Sequence, residues 1–375
     1  MERDMSPSKL SLPIDIDLLA ASIAKTQRST GEIPWHEGGK TDPWDHVEAA
    51  IGLTIGGYHG EARNAFAWLA STQLEDGGWY SAYRDGKPED LTRESNMASY
   101  IAVGVFHHYL ITQDRPFLEH IWPTVCKAMD FTTSLQAPGG EIYWAKNPHG
   151  QVDPVALLTA CSSIFMSLKC ALVLALLLGE SKPSWQEALM RLGDAIRYRP
   201  HLFDKTKSRY SMDWFYPVLC GTITGAEAKK RLDRSWNRFM VEGLGTRCVS
   251  DNPWVTIAET SELILTLAAM GEYEKARAVL GWIVNKRHED GTFWCGFTFP
   301  DMVIWTEEKL AWTNAAVMMA ADAVYHITPA SQLFNHSFWE VGEKTRPHMY
   351  RFLKKYHPVF NIRDAFYSDA KDMRI

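Results

Sequence analysis

Four times along this chain a helical stretch ends in Gln or Arg and runs into a turn that closes on Trp: QRSTGEIPW (27–35), QLEDGGW (73–79), QAPGGEIYW (136–144) and RHEDGTFW (287–294). A turn repeated in this way marks a chain assembled from similar helical pairs. Between these long links lie tight ones, GGYHGEAR (56–63), LITQDRPF (110–117), LLGESKPSW (177–185) and MGEYEKAR (270–277). Apolar periodicity, bounded by Gly, Pro and Asp, predicts helices over 15–28, 45–57, 60–73, 96–111, 115–136, 157–178, 184–198, 212–222, 225–240, 255–270, 273–288 and 307–326. No convincing strand alternation separates them. Alternating short and long links predict an all-α fold, an (α/α)6 barrel or alpha/alpha toroid of about twelve helices, with inner and outer helices alternating and every long link opening on one rim. Residues 1–330 are expected to form this single domain, and 331–375 a helical extension packed on it.

Composition narrows the function classes. A chain of 375 residues with 46% apolar and 22% charged residues is that of a globular protein. Its net charge of −6 supplies no basic stripe, so nucleic acid is not an expected partner. The six cysteines show neither CxxC nor Cys/His ligand spacing and read as reduced core thiols, with a cytoplasmic location expected. The first residues lack a basic and then apolar leader, and the longest apolar run, near 164–178, is broken by Ser167 and Lys169; it reads as a buried helix, with no transmembrane segment expected. No cofactor or metal is expected.

In a toroid the segments leading into the inner helices converge. They are TDPWDHVE (41–48), TRESNMASY (92–100), VDPVALLTACSS (152–163), RYSMDWFYP (209–217), NPWVTIAETSE (252–262) and PDMVIWTEEKLAWT (300–313); each carries an acid and four carry Trp. One acid at a helix start is usually a cap, and Asp45 alone reads as well that way as any other. Six together, beside so many of the 15 tryptophans, read as a pocket. Glu259 lies between Ile257 and Leu263, where an unpaired carboxylate is costly unless used. The candidate catalytic residues are Asp45, Asp213, Glu259 and Glu307. The candidate substrate-binding residues are Trp35, His36, Asp42, Trp44, Arg84, Glu94, Trp144, Trp214, Trp254, Trp294 and Trp312.

The Gln turns, preceded by Phe66 and Trp68, resemble the QW repeats of squalene cyclases and the related turns of protein prenyltransferase β subunits. The runs 56–88 and 157–180 resemble hairpins of the six-hairpin glycosidases, especially the glucoamylase family. The two resemblances imply different chemistry on one toroid. The cyclase motif Asp-x-Asp-Asp meets Asp42-Pro43-Trp44-Asp45 here, with Trp44 where the proton-donating acid would stand. The Arg-Asp pair of glucoamylases meets Trp44-Asp45, with Arg84 available to replace the cation; the general acid of that family meets Asp153, and its second glutamate is approached by Glu307, with Glu259 and Asp213 competing. The first expectation is therefore a carboxylate acid/base enzyme acting on a glycosidic or sugar-derived small molecule. The alternatives are a terpenoid cyclase or prenyltransferase-like enzyme acting on an isoprenoid, and a non-catalytic ligand-binding toroid.

Overall fold

A computed structural model describes residues 12–339 of the chain. The helices are α1 (Ile16–Thr26), α2 (Pro43–Ile55), α3 (His59–Thr72), α4 (Ser95–Ser99), α5 (Ile101–Thr112), α6 (Arg115–Ser134) and α7 (Leu158–Leu177). They continue with α8 (Pro183–Tyr198), α9 (Ser211–Leu219), α10 (Gly225–Phe239), α11 (Ile257–Ala269), α12 (Tyr273–Ile283), α13 (Ala311–Tyr325) and α14 (His336–Trp339). The predicted helix 96–111 is two helices, α4 and α5, meeting at Tyr100.

Six of them form a closed inner ring. Helix α2 packs on α5, α5 on α7, α7 on α9, α9 on α11, α11 on α13, and α13 returns to α2. Helices α1, α3, α6, α8, α10 and α12 form the outer layer, so the expected (α/α)6 toroid is the observed one. The sequence decides which helix goes where by how much of its surface is apolar. Helix α7 is long and apolar enough to cross a membrane, yet 89% of its most apolar window is buried in the protein. Helix α10 buries only Ala228, Leu232 and Phe239 and turns its charges outward.

The repeated Gln turn is a tie between outer helices. Gln27 Nε2 donates to Gly31 O (3.0 Å) in its own turn and to Glu61 O (2.9 Å) on α3. Gln73 does the same with Gly77 O (3.0 Å) and Thr124 O (2.9 Å) on α6, and Gln136 with Gly140 O (3.0 Å) and Ala188 O (2.9 Å) on α8. In the fourth copy Arg287 reaches back to Pro13 O (2.9 Å), just ahead of α1. The glycine of the turn is required twice over: Gly77 has φ +93°, and a Cβ there would stand 2.1 Å from Lys127 O.

The long links pair as short antiparallel strands around the rim. Ala82–Arg84 pairs with Lys87–Asp90; Arg93–Glu94, Ala145–Lys146 and Val152–Asp153 form a second sheet; Met240–Val241, Gly245–Arg247, Trp254–Thr256 and Gly296–Thr298 form a third. Strands of two to four residues leave no readable alternation, which is why none was expected. Of the expected C-terminal extension, 331–339 lies within the described residues. Phe338 and Trp339 of α14 pack with ring centroids 6.4 and 6.2 Å from Phe106.

Candidate active site

Helix α2 begins Asp42-Pro43-Trp44-Asp45, and the cap is Asp42. Its Oδ1 accepts the Asp45 N–H (2.9 Å) while its Oδ2 accepts the Trp35 indole N–H (2.6 Å). Because Asp42 does the capping, the Asp45 side chain is released to the cavity above. His46, in the next position, is a strut: its Nδ1 accepts the Ile33 N–H (3.1 Å) and its Nε2 donates to Ala65 O (2.9 Å), which fixes the loop against α3.

Two cavities of about 390 and 450 Å³ open at the rim and share Trp35 and Lys40, so they read as two lobes of one cleft. Lys40 Nζ stands 4.2 Å over the Trp35 ring at the seam. One lobe is acidic, lined by Asp42, Asp45, Glu94, Glu89 and Asp90 together with Trp44, Ser81 and Met97. The other is walled by Trp254, Trp312, Cys295 and Leu310, with Glu259, Glu308, His36 and Arg84 at its edges. Trp35 and Trp312 meet edge to face at 6.1 Å.

Electrostatics sort the carboxylates. Burial, reinforced by Asp42 and Glu48, pushes the Asp45 carboxyl well above the usual range, with Lys40 opposing. Burial pushes Glu94 up to about 7 against a stabilising hydrogen bond from Ser81. Glu259 Oε2 is buried without a hydrogen-bond partner among the described residues.

Beneath the lobes lies a neck of paired polar groups. Trp44 stacks on Tyr100 (3.8 Å, 10°), and its Nε1 donates to Glu48 Oε1 (3.0 Å), with the Tyr100 hydroxyl 3.5 Å from the same oxygen. The Tyr216 hydroxyl donates to Glu262. Burial pushes Glu48 up to about 8 and Glu262 well above its usual range, with the nearby Glu48 raising Glu262 further. Leu219, Leu265, Met319 and Phe334 close the axis below. Glu48 and Glu262 were not among the expected site residues. The available signal was helical phase: Glu48 follows Trp44 by four residues and Glu262 follows Glu259 by three, so each lies one turn deeper on the same face.

The cleft thus gathers Trp35, His36, Asp42, Trp44, Asp45, Arg84, Glu94, Trp254, Glu259 and Trp312 of the expected residues. Arg84 is paired with Glu89 (2.6 Å) at its edge. Asp213 and Trp214 lie elsewhere, in a cleft of about 430 Å³ between α9 and α10 lined by Lys230, Arg231, Arg234 and Arg238. There the Asp213 carboxylate accepts from Thr159 Oγ1 (2.6 Å), and Trp214 stacks on Phe239 (5.2 Å, 16°). Glu307 is exposed outside these cavities, and it is its neighbour Glu308 that lines the cleft. Trp144 sits in a backbone-paired link whose N–H donates to Val155 O (2.8 Å), and Trp294 packs edge-on to Phe297 (5.9 Å); neither lines the cleft. Asp153 is half-buried in a rim strand. Among the described residues no three His, Cys, Asp or Glu side chains are grouped to hold a metal ion.

No protein-family model matches the chain. Solved structures share the fold: a glycosidase variant in complex with glucose (TM-score 0.65, 13% identity, 84% of this chain and 96% of that one) and D-mannose isomerase (TM-score 0.64, 12% identity, 83% and 95%). A GH63 mannosylglycerate hydrolase from Thermus thermophilus is a third (TM-score 0.65, 12% identity, 81% and 99%). At these identities the likeness is one of fold. Among curated proteins, the MMP endo-(1,4)-3-O-methyl-alpha-D-mannosidase of Mycolicibacterium hassiacum is 49% identical over 315 residues, 84% of this chain and 87% of that protein. The mannosidase relative supports the glycosidase side of the expected resemblance, and none of these proteins lends support to the cyclase and prenyltransferase side. With that identity across most of both chains, this protein belongs to the family of the MMP endo-(1,4)-3-O-methyl-alpha-D-mannosidase, a family of glycoside hydrolase-like enzymes on an alpha/alpha toroid.

Proposed function

We propose that this chain is an endo-acting glycoside hydrolase that cleaves α-(1→4) links between 3-O-methylated mannose units, with Asp45 and Glu259 as its two working carboxyl groups. The observation that carries this is the meeting, in one Trp-walled cleft, of a carboxyl that burial raises well above its usual range and a second carboxyl oxygen left without a hydrogen-bond partner among the described residues. Glycoside cleavage needs both: an acid to protonate the leaving oxygen, and a second carboxylate that attacks the anomeric carbon or takes a proton from water. Burial beside Asp42 and Glu48 raises the Asp45 carboxyl well above the usual carboxylate range, the direction a proton donor requires. Glu259 has the Cys248 thiol beside its carboxyl but keeps Oε2 without a protein donor among the described residues. Trp35, Trp254 and Trp312 give sugar rings flat apolar faces, while Asp42 and Glu94 accept from hydroxyls. An isoprenoid would leave these acids desolvated with nothing to bind, which is costly. The activity of the mannosidase relative supplies the linkage and the methyl ether.

The test is hydrolysis of a 3-O-methylated α-(1→4)-mannooligosaccharide by wild type, Asp45→Asn and Glu259→Gln. Each variant is expected to lose turnover by about a thousandfold or more while unfolding no earlier than wild type. Wild-type turnover in Asp45→Asn removes Asp45 from the mechanism. Strong destabilisation by Glu259→Gln makes Glu259 a structural partner instead. The anomeric configuration of the first product assigns Glu259 as nucleophile, if retained, or base, if inverted.

A further inference from the structure

The two lobes differ in the chemistry they offer. A methyl ether differs from a hydroxyl in two ways: it has lost its donor, keeping only acceptor lone pairs, and it has gained apolar surface. The acidic lobe is rich in carboxyl groups, Asp42, Glu94 and Asp90, whose remaining lone pairs take hydroxyl donors and lose a bond wherever a methyl replaces one. The other lobe keeps two carboxyl groups, Glu259 and Glu308, but sets them against a largely apolar wall. The Trp312 indole N–H is a buried donor with no partner among the described residues, which an ether oxygen satisfies as an acceptor. Trp254 has its N–H committed to Trp305 O (2.9 Å), so it offers the lobe an apolar ring. Cys295 and Leu310, 6% and 3% exposed, supply further apolar lining at methyl scale. Trp35, carrying Lys40, stands where the two chemistries meet.

We propose that the cleft reads O-methylation on one side of the scissile bond only: the lobe of Trp254, Cys295, Leu310 and Trp312 takes the 3-O-methylated sugar, and the lobe of Asp42, Asp45 and Glu94 takes its neighbour through free hydroxyls. The inference rests on the glycosidase reading and goes beyond it by assigning the methyl group to particular residues and to one side of the cut. A polymer methylated throughout is still cleaved under this scheme, at the cost of the hydroxyl bonds that the acidic lobe forgoes. One methyl group in an apolar pocket is worth roughly 10–200-fold in discrimination, so the one-sidedness is measurable.

The experiment uses the full chain and four synthetic α-(1→4)-mannooligosaccharides: unmethylated, fully 3-O-methylated, and two block compounds methylated only in the reducing or only in the non-reducing half. Products are identified by mass spectrometry and kcat/KM is measured for each. The expected result is cleavage of one block compound at its junction at least as fast as the fully methylated chain, with the other block and the unmethylated chain at least about tenfold slower than that block. Trp312→Phe, which keeps the ring and loses the donor, and Cys295→Ser, which makes the wall polar, should each narrow that ratio several-fold. Equal cleavage of both blocks, slow cleavage of both, or an unchanged ratio in both variants overturns the assignment while leaving the glycosidase reading standing. Hydrolysis of none of the four compounds overturns the glycosidase reading, and this inference with it.

Discussion

Replacing Glu48 by Gln should stabilise this protein, and by more as the pH rises. Glu48 is 4% exposed, and its Oε1 takes hydrogen bonds from Trp44 and Tyr100, which an amide oxygen accepts equally well. Burial pushes its carboxyl up to about 8 from an ordinary value of 4.5, so the folded protein keeps a proton that the unfolded chain gives up. The sign follows from linkage. A raised carboxyl contributes nothing adverse below the ordinary value, and stability is lost progressively as the pH climbs from about 4.5 through about 8. Integrated over that window, the cost is about 1 kcal/mol at pH 5, about 3 at pH 7 and approaching about 5 at pH 8.5. Gln carries no titrating proton and escapes this loss. Urea unfolding of wild type and Glu48→Gln at pH 5 and pH 8.5 measures it: the two should differ by about 1 kcal/mol at pH 5 and by several kcal/mol at pH 8.5. Parallel pH dependence, or a variant less stable at pH 8.5, would refute the reasoning and make ionised Glu48 a required partner of the neck.

Gly77→Ala forces a side chain onto a φ of +93° and against Lys127 O, and should cost about 3 kcal/mol or more, read as a lowered Tm. Gln73→Ala removes two hydrogen bonds to backbone carbonyls and should cost about 1–3 kcal/mol in the same assay, with kcat little changed. Burial, with a smaller contribution from His108, pushes His107 down to about 3, so stability should fall as the pH drops below about 6.5 because the unfolded chain binds the proton first. His107→Gln should remove about 2 kcal/mol of that loss at pH 5, read by urea midpoints at pH 5 and 7.5. Trp35→Phe strips the donor from Asp42 Oδ2 and should lower kcat/KM about tenfold in steady-state assays.

The helices were legible because each carries its own period and its own stop: Gly271 ends α11, and Pro183 opens α8. The closed ring was legible from the alternation of links, since only a toroid puts every long link on one rim. The repeated Gln was visible but its purpose was not, because the carbonyls it binds, such as Thr124 O and Ala188 O, lie more than fifty residues away. The cleft was legible where the chain announces it locally, in the acid-and-Trp run from Trp35 to Asp45. It was not legible for Asp213 and Trp214, whose segment has the same composition but which face α7 and α10, because composition does not record the rotation of a helix about its axis. Glu48 and Glu262 were hidden for the converse reason: a Glu within a helix looks like surface until the ring places that face inward.

The outer ties have a mechanical consequence. Gln27, Gln73 and Gln136 each fasten one outer helix to the next, Arg287 fastens the far end to the stretch before α1, and α13 packs against both α1 and α2. The molecule is a hoop, and a hoop under load has no weakest free end from which to peel. In the closed inner ring each helix is packed between two others, so the cleft at the rim holds its width only while the ring stays shut. Amide exchange from the six inner helices should therefore proceed at one common rate, set by the opening of the entire ring.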